Sequence, residues 1–93
     1  MNYEALGRYV EAKEKAEQLA INRNTIFAQL KQIASDGQGF GPGTAYIGKR
    51  FDLEKARRLL DEICTIEEQF LLAVHEANKH AEECGKQKLN IIG

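Results

Sequence analysis

A single break divides this chain. From Asp36 to Phe51 it reads Asp-Gly-Gln-Gly-Phe-Gly-Pro-Gly-Thr-Ala-Tyr-Ile-Gly-Lys-Arg-Phe, with five of the eight glycines and the only proline. Inside a helix each glycine costs about 1 kcal/mol and a proline about 3 kcal/mol, so the stretch 36–51 is predicted to be a loop. Proline is absent on either side, and apolar residues recur there at helical spacing. Two helices of near-equal reach and one connection are what remain.

The first helix is expected over about 3–35. Asn2 is placed to cap it, with Glu4 in the first turn. Its apolar stripe is Ala5, Tyr9, Ala12, Ala16, Leu19, Ile26, Leu30 and Ile33, widened on one side by Leu6, Ala20, Phe27 and Ala34. The second helix is expected over about 53–84, capped by Asp52 and closed by Gly85. Its heptad pairs the series Leu53, Leu60, Val74, Ala81 with the series Ala56, Ile63, Phe70, Ala77, Cys84. Leu89, Ile91 and Ile92 make the segment 85–93 a short apolar tail, expected to dock at a place the sequence does not specify.

At 1.5 Å per residue each helix is about 45–50 Å long. Equal arms on a short connection fold as an antiparallel hairpin, coiled-coil-like and all-α, in a single domain 1–93. Setting Ser35 beside Leu53 brings Ile33 to Ala56, Leu19 to Phe70 and Ala12 to Ala77. In that register Arg23 and Glu67, the two charges that interrupt the stripes, come within about two residues of each other. Side chains lean toward their own helix N-terminus, so the two lean together. They are expected to form a structural pair that fixes register.

A two-helix hairpin buries one side of each helix. The second helix is apolar nearly all round between Ile63 and Val74, so a further cover is required. The expected cover is a second copy of the chain, giving a homodimeric four-helix bundle with Leu59, Ile66, Leu71 and Leu72 at the interface.

Net charge is -1, with 29% charged and 43% hydrophobic residues. That balance excludes coating nucleic acid by bulk charge, though not through a local patch. No apolar run approaches the ~20 residues of a bilayer span. The first residues lack a secretory pattern. Cys64 and Cys84 lie about 30 Å apart along one helix, too far for a disulfide. A cytoplasmic protein with reduced thiols and no membrane association is expected.

No motif assigns chemistry. Gly43 to Arg50 matches a phosphate-binding loop except at its last position, where Arg50 replaces the hydroxyl that holds magnesium, and no strand precedes it. Glu76, His80 and Cys84 share one helix face, but one helix rarely supplies a full zinc ligand set. Neither cysteine has an activating environment. No catalytic residue, metal or cofactor is expected.

The loop end is richer. Lys49, Arg50, Lys55, Arg57 and Arg58 cluster there with Phe40, Tyr46, Ile47 and Phe51. Phe51 and Ile47 are expected to plug the bundle end. Phe40, Tyr46, Lys49, Arg50, Arg57 and Arg58 are the binding candidates, since aromatics among cations suit an acidic protein surface or a stacked base. Acidic residues cover the outer faces: Asp61, Glu62, Glu68, Glu76, Glu82 and Glu83, with Glu11, Glu14 and Glu17 on the first helix.

The architecture is similar to plasmid copy-control hairpins that dimerise and bind RNA, a likeness of fold alone with no shared motif residues. The functional expectation is a small non-enzymatic accessory or regulatory protein. It binds another protein through its loop end, as a phage or mobile-element product modulating a host enzyme would. The alternatives are RNA or DNA binding through the basic loop end, and an acidic mimic of nucleic acid directed at a nuclease or recombination enzyme.

Overall fold

A computed structural model describes residues 2–37, 45 and 50–91. Helix α1 spans Tyr3–Gly37 and helix α2 spans Leu53–Ala81, followed by a 3-10 turn, Glu82–Cys84. The two helices pack antiparallel along their length, and the described residues contain no strand. Among the described residues no helix is long and apolar enough to cross a membrane.

Local chemistry sets the ends. The Asn2 side chain accepts from the Ala5 N–H at 3.1 Å, and Asp52 accepts from the Lys55 N–H at 3.1 Å. Each satisfies a donor that the first helical turn leaves without a partner. Gly85 adopts the left-handed conformation, φ 73°, and the Lys86 N–H reaches back to the Ala81 carbonyl at 2.9 Å. This Schellman closure needs a residue without a Cβ at Gly85. Helix α1 continues two residues beyond the expected Ser35 and takes in Asp36 and Gly37. The Phe51 ring packs there, 3.4 Å from where a Cβ on Gly37 would stand. The loop boundary therefore shifts to Gly37.

Three apolar clusters line the seam. The first joins Ala5, Tyr9 and Ala12 to Ala77, Ala81 and Cys84; the second joins Ala16 and Leu19 to Ala73 and Val74; the third joins Ile26 and Ile33 to Leu59. Their levels follow the predicted register.

The inner face of α2 differs from the expected heptad. Leu59 is buried, at 5% exposure, and Ile66 packs on the second and third clusters. Leu53 and Leu60 are 51% and 55% exposed. The seam thus pairs Ala56, Ile63, Phe70, Ala77 and Cys84 with Leu59, Ile66 and Ala73. Leu53, Leu60, Glu67, Val74 and Ala81 form a flanking row. Val74 and Ala81 of that row are nevertheless buried, and the reason is the tail.

The tail turns back at Gly85 and runs along this flank. The Asn78 amide clamps Leu89, donating to its carbonyl at 3.0 Å and accepting from its N–H at 2.6 Å, while the Tyr9 hydroxyl donates to the Gln87 carbonyl at 3.3 Å. Leu89 packs on both the first and second clusters, so it roofs the flank at the levels of Val74 and Ala81. The molecule is a rod, 69 × 21 × 18 Å, with a radius of gyration of 19.7 Å. A compact domain of this length would have about 12 Å.

Candidate functional site

The tip where α2 begins forms a shallow concavity lined by Arg50, Phe51, Asp52, Leu53, Glu54 and Arg57. Phe51 is 45% exposed even with its ring against Gly37. The cap that Asp52 provides fixes the direction of α2, and thereby holds Leu53 and Arg57, one turn apart, on one side of its first turns and Arg58 on another. Arg50, Arg57 and Arg58 are all exposed. The concavity therefore combines apolar surface, from Phe51 and Leu53, with both signs of charge. Phe40, Tyr46, Ile47 and Lys49, and the body of the 43–50 glycine motif, lie outside the described residues.

Arg23 and Glu67 meet on one flank. The Arg23 Nη1 donates to the Glu67 Oε2 at 2.8 Å, and the guanidinium lies 4.8 Å from the Phe70 ring centroid and 5.7 Å from that of Phe27. The side chains are 23% and 41% exposed. Arg23 occupies the seam of α1, whereas Glu67 reaches in from the flanking row, which corrects its placement inside the α2 stripe.

At the far end His80 is buried. Its Nε2 lies 3.0 Å from the Glu76 Oε1, and its Nδ1 lies 3.8 Å from the Glu83 Oε2, beyond hydrogen-bond reach. The hydrogen bond from His80 holds the Glu76 carboxyl below the usual carboxylate value of 4.5, against a smaller opposing effect of desolvation. Cys84, which shares this face in the sequence, points its Sγ at the Ala81 carbonyl, 3.5 Å away. Among the described residues no three His, Cys, Asp or Glu side chains converge as a metal site would need.

The four residues expected at a subunit interface separate. Leu59 is sealed inside the hairpin and Ile66 is half-buried against it, so neither presents a face to a second copy. Leu71 and Leu72 are exposed, 47% and 68%, but adjacent helical residues point about 100° apart and cannot serve one flat contact. Exposed apolar residues that do share a side are Leu53, Leu60, Cys64 and Leu71 of α2 with Phe27 of α1. Their 7-4-7 spacing along α2 was present in the sequence. It was hidden because Leu53 and Leu60 also fit a seam heptad.

No protein-family model, no curated protein and no solved structure matches the chain.

Proposed function

We propose that this chain is a small non-enzymatic accessory or regulatory protein of the cytoplasm that binds another protein through the tip of its hairpin. It works as a homodimer whose two hairpins make a four-helix bundle. The observation that carries the tip reading is the exposed Phe51, held by Gly37 and the capped start of α2 between Arg50 and Arg58. An aromatic anchor beside arginine is the composition of interface hot spots. The dimer reading is supported by surface area: 7221 Å² is accessible, against about 5,400 Å² for a compact monomer of this mass.

A second reading, RNA or DNA binding, is favoured by Arg50, Arg57 and Arg58 standing exposed together at the tip. Two experiments separate them. Wild-type protein and a Phe51→Ala, Arg58→Glu variant are used as bait in extracts of the source cell, with bound species identified by mass spectrometry. The protein reading expects one defined protein retained by wild type and lost from the variant. Titration with RNA and DNA at about 50 and 200 mM salt tests the other reading. Binding that is tight at low salt and falls steeply would replace the protein partner with a nucleic acid.

A further inference from the structure

The flanking row of α2 is closed by two devices over part of its length and is open over the rest. Val74 and Ala81 lie beneath the tail, Glu67 is closed by Arg23, and Leu53 and Leu60 have no cover within the described residues. Exposed Cys64 and Leu71 stand beside this row, with Arg57 one turn from Leu53 and Leu60. Together Leu53, Arg57, Leu60, Cys64, Glu67 and Leu71 form a second heptad strip, with steps of 4, 3, 4, 3 and 4.

That strip is a palindrome about residue 62. Turned end for end on its own copy, Leu53 meets Leu71, Leu60 meets Cys64, and the two charged positions, Arg57 and Glu67, meet each other. Every apolar position finds an apolar partner and the cation finds the anion. Glu67 gives only its Oε2 to Arg23, so its other oxygen is left for Arg57 of the second copy.

Helix α1 supplies the same axis independently. The core clusters join Ala12 with Ala77, Ala16 with Ala73 and Ile33 with Leu59, which brings Phe27 to the level of Glu62. On the side of α1 next to the strip lie Ala20, Phe27 and Ala34, seven residues apart. Under a two-fold at that level Phe27 faces its own copy, and Ala20 faces Ala34. A large residue at the axis is flanked by small ones. Leu89 packs on the cluster of Ala73 and Val74, and the strip ends at Leu71, on the loop side of that cluster.

We infer that the dimer forms through this side, antiparallel, with its two-fold axis at the level of Phe27 and Glu62. The occupant of the open strip is a second copy of the chain. The inference deepens the dimer reading above and fixes its face and direction. It also places Leu53 and Arg57 in the subunit contact, which leaves Arg50, Phe51 and Arg58 as the tip surface for another partner.

Sedimentation equilibrium on the full chain tests the face. Wild type is expected at twice its 10.5 kDa mass. Leu60→Asp is expected to weaken the dimer about 100-fold or more, because the two-fold places the buried charge in the contact twice. Circular dichroism is expected to show its helicity kept. Leu72→Asp, on a different side, is expected to leave the dimer intact. A wild-type monomer would end the dimer reading itself; a dimer that survives Leu60→Asp unchanged would end the choice of face alone.

Direction is tested by Arg57→Lys with a zero-length carbodiimide cross-linker. An amide link between the amine introduced by that substitution and Glu67 of the other chain is expected in the dimer band. Within one chain those positions lie about 15 Å apart along α2 and cannot be joined. Cross-linked dimers without that link would overturn the antiparallel axis.

Discussion

At Arg23 a cation stands in a row that is otherwise apolar from Ala5 to Ile33. The pair it makes with Glu67 is unequal. Arg23 is the more buried partner, with an Nε that finds no acceptor, while Glu67 can turn to water. Partial exposure screens such a pair, and its coupling is about 1 kcal/mol. Removing Glu67 leaves a cation in the seam, whereas removing Arg23 leaves an anion at the surface. Glu67→Leu is therefore expected to destabilise more than Arg23→Met, and the double substitution less than Glu67→Leu alone, as read by urea denaturation of all three variants. Equal losses from the two single changes would contradict this asymmetry. The Glu76 carboxyl gives a pH signature. Its folded value lies below the unfolded 4.5, so its contribution is complete above that pH and is lost as pH falls through the folded value. The difference in Tm between wild type and Glu76→Gln is expected to shrink as pH falls below about 4.5.

Rotation about the axis of α2 decides which of two neighbouring leucines carries stability. Leu59 packs against Ile26 and Ile33, and Leu60 does not. Leu59→Ala is expected to cost about 2–4 kcal/mol and Leu60→Ala well under about 1 kcal/mol in the isolated hairpin. Chemical denaturation at a concentration too low for association measures this difference. The tail is an element in its own right, because the Asn78 amide holds both backbone groups of Leu89. Asn78→Ala is expected to cost about 1–2 kcal/mol. It should also open Lys86 and Lys88 to trypsin, with digestion followed by mass spectrometry as the readout. An unchanged cleavage rate would show that apolar packing of Leu89 alone secures the tail.

The whole molecule is a rod with one side closed at its far end by its own tail and open toward the loop. The proposed dimerisation through the open part would extend the same flank burial that the tail begins. The proposed antiparallel association about residue 62 would put the two tips about 30 Å apart along the bundle, from about ten residues on either side of the axis. A bivalent partner can therefore engage both tips, and Leu60→Asp is expected to weaken capture of such a partner without touching the tip. A monovalent partner would be held equally by both proteins at matched chain concentration.

The sequence by itself determined two helices, their caps at Asn2 and Asp52, the Gly85 closure, and the antiparallel register that sets Arg23 near Glu67. These follow from local rules: one break, side-chain oxygens beside free N–H groups, and an apolar spacing of about 3.5 residues. The tertiary structure decided what those rules leave degenerate. Leu59 and Leu60 are adjacent and equally apolar, and only their neighbours on α1 and the path of the tail settle which faces inward. Leu89 finds its place because Asn78, eleven residues earlier, meets its backbone across the turn at Gly85. No propensity or periodicity in either segment records that contact, because it exists only when both are already folded.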